Sequence, residues 1–468
     1  MAAESVDAAI VGGGLAGAAA AEVLAGHGVR VLVLDDNVRP GGQYLRGRLH
    51  PGIKRTDRIG RRGLKLLDCL ALKEVDFRSG AEVLGIEKGF ELLAADGDGA
   101  LFSVNSKRIL LATGARERFI PFRGWTLPGV LAAGGVQILI KQSGILPARQ
   151  TLVAGAGLFL AAVARDIQRS GGRVPAVLSE THFFNRLPPS SLLARQLAKF
   201  AQGGAMLARL RLGGTAIYGG TRILEARGED GLRGVVAARV DREGILIPGS
   251  ETVFPVGCLA VGFGFTPNLE LAQLAGCELA FNPELGGWVV KVNENLETSV
   301  DGIHAAGEIT AVGGAAKSLT EGRLAGLAIL EQMGLLKSAS MRAEISTLKK
   351  MRLRQMAFAR FFNSQNSFSP DYMAAWLGSL PDEVPVCRCE EVSLGELRRA
   401  VAEGFDTPAG VKKATRCGMG ICQGTTCKTI LLDVLAALTG KPVSHIPLPS
   451  VRLPLKPVYL GTLAGEKS

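Results

Sequence analysis

Five of the eight cysteines in this 468-residue chain, Cys387, Cys389, Cys417, Cys422 and Cys427, fall inside one 41-residue window. An even scatter would place fewer than one there, so the clustering is a chemical signal. The order is Cys387-x-Cys389, 32 residues, Cys422, four residues, Cys427, with Cys417 standing five positions ahead of Cys422 as a spare. Four thiolates are the ligand set of one two-iron cluster. They also make closed tetrahedral zinc sites, although Cys-x-Cys is tighter than the spacing of the common zinc ribbon. Structural disulfides are the weakest reading, because a chain of this length can bury a core without staples. Arg388, Lys412, Lys413, Arg416 and Lys428 lie close in sequence. They suit a negatively charged cluster, or they form an ordinary solvated face. The stretch after Thr425, KTILLDVLAALTG, has helical spacing closed by Gly440, and such a helix would aim its positive end at the second cysteine pair.

The opposite end of the chain supplies a second redox signature. Residues 6–35 read as strand, glycine turn, helix, strand and acidic terminus. Gly12 permits the tight turn, Gly14 lets a pyrophosphate approach the backbone, Gly17 allows helix and strand to pack, and Asp35, 18 residues later, can accept a ribose hydroxyl. The carboxylate favours a dinucleotide with a free 2′-hydroxyl, FAD or NAD. The run lacks the basic start of a secretory signal and carries Asp7 and Glu22, and no segment offers 18 uninterrupted apolar residues. The expectation is a cytoplasmic chain.

Residues 151–180 repeat the plan with a damaged fingerprint: Gly155 and Gly157 are present, but Leu160 stands at the third glycine position and Glu180 is a less secure ribose acceptor. A hydride donor such as NADH is a weaker expectation here than simple nucleotide binding. No cysteine pair follows the first glycine turn and Cys69 is solitary, which argues against dithiol reductase chemistry; Cys258 and Cys277 read as small buried hydrophobes. His304 reads as a core residue.

The net charge of +11 and the cationic run at 340–363, with Lys349, Lys350, Arg352 and Arg354, do not imply nucleic acid, since no reader module accompanies them. A solvated face, an acidic protein or an anionic membrane surface accounts better for the charge. The tail at 445–464 holds prolines 447, 449, 454 and 457, so it should run extended and strap the cysteine region onto the front domain or meet another polypeptide of a complex.

Further motifs carry a resemblance. VCRCEEVS and TRCGMGICQGTTC resemble the bacterioferritin-associated ferredoxin-like domain, which implies a 2Fe-2S cluster on Cys387, Cys389, Cys422 and Cys427, with Cys417 as the substitute. TSVDGIHAAGE at 298–308 resembles the closing motif of two-dinucleotide-binding flavoproteins, which implies that Gly307 and Glu308 meet the ribityl chain of FAD. In the same family GGQ, with Gly42 and Gln43, the backbone of Val83, and Gly114 in LLATGARER lie against FAD, and the helix after Gly313-Gly314 points at the flavin.

The whole order resembles the α-type subunit of multi-subunit amine dehydrogenases, a group with opine oxidase, D-hydroxyproline and L-proline dehydrogenases, sarcosine oxidase and hydrogen cyanide synthase. It implies an α/β two-dinucleotide-binding-domain flavoprotein: a discontinuous Rossmann-type FAD domain at 1–118 and 285–335 and an inserted second Rossmann-like domain at 119–284. A helical linker at 336–382, a small 2Fe-2S domain at 383–445 and a proline-rich tail at 446–468 follow. The function implied is an electron relay, with the amine oxidised on a β-type FAD-dependent partner subunit, room for a small third subunit, and a quinone or respiratory acceptor at the inner membrane face. FMN at the subunit interface and an adenine nucleotide on Gly155 and Gly157 are further features of that group. Two other readings stand beside it: a self-contained NADH-dependent oxidoreductase and a non-catalytic, zinc-stabilised regulatory subunit.

Overall fold

The computed structural model describes residues 4–46, 58–181 and 190–463. Two compact units divide the chain: one takes the residues up to Arg116, Phe265–Asn363 and the chain from Val451, the other takes Glu117–Gly264 and Ser364–Ser450.

At the centre of the first unit lies a parallel five-stranded sheet in the order Ile303–Ala305, Ile109–Leu111, Ala8–Val11, Val31–Asp35, Val75–Ser79. The strands AAIV and VLVLD are buried at every position. Unbroken apolar runs of this kind belong to parallel strands covered on both faces. Helix Leu15–Ala25, built largely of alanine, packs against helix Ala315–Gln332. A Cβ on Gly322 would lie 2.0 Å from the Ala16 carbonyl oxygen, and one on Gly326 would lie 2.9 Å from Val23 Cβ. Two glycines one turn apart therefore let the helix backbones approach closely, and Leu24, Leu324, Leu327 and Leu330 close the core around them.

The first unit resumes at Phe265, ahead of residue 285, because the hairpin of Leu279–Asn282 with Gly287–Val290 shares a small core of Leu285, Val289 and Ala311 with it. The cationic run forms the expected helix, Ala339–Ser364. From Val451 the tail lies along this unit: Leu455 N–H donates to Leu84 O at 2.8 Å, and Lys456 pairs with Glu82. Residues 464–468 of the expected tail lie outside the described residues.

The second unit carries its own parallel sheet, in the order Val130–Ala132, Cys258–Gly262, Thr151–Gly155, Ala176–Ser179, Ala216–Gly219. Helix Phe159–Arg169 covers it through Leu160, Val163 and Ile167, and Cys258 is part of the same apolar core. Helix Pro370–Ser379 packs on helix Lys428–Thr439, which links the cysteine region to the sheet domain within one body. Around the cysteines stand a short hairpin, Pro385–Cys387 with Val392–Ser393, and helices Leu394–Ala402 and Pro408–Thr415, the former started by a Ser393–Glu396 capping box. Among the described residues no helix is long and apolar enough to cross a membrane.

Candidate functional site

Three places hold the residues singled out by the sequence. At the front turn, Gly12 adopts φ 110° and a Cβ on Gly17 would sit 1.9 Å from the Gly12 carbonyl oxygen, so both positions admit glycine alone. Gly14 is different. Its φ is −71° and, among the described residues, a Cβ there would meet nothing closer than Gly42 Cα at 3.9 Å, which leaves the N-terminus of helix Leu15–Ala25 clear of side-chain bulk at this position. Such a helix end, with glycine beside it, is an anion seat.

Asp35 is buried at the end of its strand, accepting from Gly13 N–H at 2.5 Å and from Asn37 N–H at 2.8 Å. Burial pushes its carboxyl up against those hydrogen bonds. Gly41 N–H donates to Gly13 O at 2.9 Å, which draws Gly42 against Gly14 and leaves Gln43 exposed beside the turn. Gly114, at φ 72°, is fixed by Asn268, whose backbone N–H donates to Gly114 O at 3.0 Å and whose side-chain amide donates to Thr113 O at 2.7 Å. Val83 is buried in strand Glu82–Glu87.

Gly307 rests on the same helix start: a Cβ there would be 3.0 Å from Ala16 Cβ. Beside it Glu308 is half-buried and accepts from Gly314 N–H at 2.8 Å, at the start of helix Ala315–Gln332. Burial raises its pKa, against the pull of Lys317 and of those N–H groups. The donor set, glycine cradle and paired helix ends fit a dinucleotide held by its pyrophosphate.

The second glycine turn is occupied from within its own unit. Gly155 lies against Gly262, and a Cβ on Gly157, at φ 92°, would fall 2.3 Å from Asn366 Oδ1. Glu180 is buried and accepts from Arg222 Nε at 2.6 Å and from Tyr372 Oη at 2.7 Å. The Arg222 guanidinium lies 4.3 Å from the Trp376 ring centroid and 5.2 Å from that of Tyr372. Leu160, at the third glycine position, is fully buried in the core, which is how the fold absorbs its bulk.

In the cysteine region all five thiols are free. The sulfurs of Cys387, Cys417 and Cys427 lie within 4.8 Å of one another, with Cys387 and Cys427 at 3.9 Å, while Cys389 and Cys422 interact as a second pair. Hydrogen bonds from Cys417 and Cys427 push the Cys387 thiol down to about 2. Cys427 is the N-cap of helix Lys428–Thr439, and Gly440 closes that helix in the left-handed region, as the sequence suggests. Arg416 is paired with Glu390 at 2.7 Å, whereas Arg388 and Lys413 are exposed. Three soft sulfur donors within 4.8 Å of one another, with a second cysteine pair beside them in the same region, fit an iron–sulfur cluster.

Sequence reasoning passes over three sets of residues. Lys317 and Glu321 form a fully buried ion pair at 2.7 Å beneath Gly307, and Arg352 reaches Glu321 at 2.8 Å instead of lying on a solvated face. A Lys-x3-Glu spacing inside an apolar helix was the available signal. Arg222 and Tyr372, and likewise Asn366, gave none, because their partners are remote in sequence.

A family model for pyridine nucleotide-disulphide oxidoreductases matches residues 6–325, and one for the BFD-like [2Fe-2S] binding domain matches residues 385–437. The first implies FAD and the second an iron–sulfur cluster. Hydrogen cyanide synthase subunit HcnB of Pseudomonas aeruginosa is 34% identical over 92% of this chain and 93% of its own length. An opine oxidase subunit of Agrobacterium tumefaciens is 31% identical over 98% of this chain and 91% of its own length. The crystal structure of L-proline dehydrogenase from P. horikoshii superposes with a TM-score of 0.73 at 23% identity, covering 98% of this chain and 79% of that one, a likeness of fold. With glycine turn, second nucleotide fold and thiol cluster all in place, the chain belongs to the pyridine nucleotide-disulphide oxidoreductase family, is related to HcnB and the opine oxidase subunit over nearly its whole length, and carries a C-terminal BFD-like [2Fe-2S] domain.

Proposed function

We propose that this chain is the electron-relay subunit of a heteromeric amino- or imino-acid dehydrogenase, in which a β-type FAD-dependent partner oxidises the C–N bond. The observation that carries the reading is a chain with two seats for redox groups whose second nucleotide turn is filled by its own Asn366 and whose Glu180 is committed to Arg222 and Tyr372. That arrangement supplies seats for electron carriers and opposes a hydride donor at the second turn. The named relatives are subunits of larger enzymes, and their reactions support the substrate class.

In this reading Gly12, Gly14 and Gly17 seat the FAD pyrophosphate and Asp35 takes a ribose hydroxyl. The Val83 backbone meets the adenine, Gly42, Gln43 and Gly114 flank the cofactor, and Gly307 with Glu308 meets the ribityl chain. Cys387, Cys389, Cys422 and Cys427 would hold the cluster, with Cys417, which lies within 4.8 Å of Cys387 and Cys427, as the substitute ligand. When bound, FAD would take up electrons in pairs and give them up one at a time, and the cluster would carry them singly. Electrons leave toward a quinone or another respiratory acceptor.

Metal and flavin analysis of the purified chain, alone and with its β-type neighbour, tests the proposal. We expect iron, acid-labile sulfide and FAD in the chain alone, and any FMN only in the complex. Cys422→Ala should abolish the iron signal while Cys417→Ala leaves it. The reverse result would move the ligand role to Cys417, and a zinc-containing colourless chain would favour the regulatory reading.

A further inference from the structure

Helix Ala315–Gln332 buries a charge group that its apolar environment does not require. Lys317 and Glu321 are both 0% exposed. A buried ion pair is usually no more stabilising than well-packed hydrophobic residues of the same volume, so its presence here calls for another role. Apart from the pair itself and one arginine, its partners belong to one turn. Lys317 Nζ donates to Gly307 O at 2.7 Å and to Thr310 Oγ1 at 2.8 Å, and Glu321 Oε2 accepts from Gly307 N–H at 2.9 Å and from Thr310 Oγ1 at 2.7 Å. Both backbone polar groups of Gly307 are thus held by side chains of one helix. Arg352, on helix Ala339–Ser364, donates to the other oxygen of Glu321 at 2.8 Å and is 15% exposed.

The charges around the turn are Lys317, Arg352, Glu321 and Glu308, the last facing Gly313 and Gly314. Burial pushes Glu321 up, but Lys317 and Arg352 outweigh it and hold the carboxyl below its usual range. Gly307 lies against Ala16, so the group stands beside the N-terminus of the front helix, the anion seat of the dinucleotide fold.

We infer that Lys317, Glu321 and Arg352 are positioning residues that lock the Gly307–Glu308 turn and set the electrostatic potential, and with it the reduction potential, at the bound flavin. The inference rests on the assignment of FAD to the front site. Accepting electrons adds negative charge to the flavin, so a neighbouring cation favours the reduced form and a neighbouring anion opposes it, with little screening inside a dry core.

The test is the midpoint potential of the protein-bound FAD in the full-length chain, measured by dye-equilibrated anaerobic titration, alongside the FAD-to-protein ratio. Lys317→Met should lower the potential, Glu321→Gln should raise it, and Arg352→Gln should lower it by less than Lys317→Met because that side chain is partly hydrated. Shifts of one common sign, or potentials equal to the wild type in variants that keep FAD, would overturn the inference and leave the FAD assignment standing. If Lys317→Met does not fold, the opposite signs expected of Glu321→Gln and Arg352→Gln decide the matter. A wild-type chain that takes up no FAD sinks the assignment and this inference with it.

Discussion

The two glycine turns of this chain begin from one plan and end in different surroundings. At the front, Gly14 has an ordinary φ of −71° and, among the described residues, Gly42 alone near its missing Cβ, while Asp35 accepts from Gly13 of the turn and from Asn37 beside it. At the second, Gly157 is at φ 92° with Asn366 against it, and Glu180 is held by an arginine from a separate sheet and a tyrosine from a helix 192 residues on. In the second turn the acid at the strand end is bound to side chains of its own unit. It anchors helix Pro370–Ser379, on which the cluster-side helix Lys428–Thr439 rests.

The largest expected effect breaks the contrast at its glycines. Gly14→Val suits the backbone, so the chain should fold and lose FAD, read as flavin absorbance per protein. Gly157→Val should keep FAD and lose about 1–3 kcal/mol of stability in a denaturant titration, from strain at positive φ and the clash with Asn366. Retained FAD in Gly14→Val would contradict the front assignment. Next comes Arg222→Met, which leaves Glu180 buried without its cation: a loss of about 3–5 kcal/mol is expected. A near-neutral result would mean that Glu180 is not an anchor.

Acid should separate the two units as well. His304, buried in the front sheet, has no hydrogen-bond partner at either ring nitrogen among the described residues, and burial pushes its pKa down to about 4. The folded state then binds fewer protons than the unfolded chain, so stability rises from about pH 4 to 6.5 and is lost on acidification, by at most about 3 kcal/mol. His304→Leu should flatten that dependence in thermal melts of the front unit's flavin signal. The smallest effect is Tyr372→Phe, which removes one hydrogen bond to Glu180 and should cost about 1 kcal/mol.

What the sequence disclosed was local: Gly12, Gly14, Gly17 and Asp35 within one strand-turn-helix-strand unit, the cysteine window, and the helix closed by Gly440. Each rests on spacing along the chain, which a backbone conformation translates directly into geometry. Leu160 likewise announced that the second turn departs from the plan. The filling of that turn was not legible, because Asn366 and Tyr372 arrive from a part of the chain that carries no nucleotide motif. Lys317 and Glu321 offered only their spacing, since burial depends on packing that no short stretch encodes. Arg352 was masked by the basic residues around it.

The relay itself is tested most directly by anaerobic mixing of a candidate amino acid with the isolated chain and with the chain in complex with its β-type neighbour, following flavin bleaching and the low-temperature EPR signal of the cluster. In the complex we expect bleaching and a reduced-cluster signal, and in the isolated chain neither, with the amino acid or with NADH. Rapid reduction of the isolated chain by either donor would contradict the account.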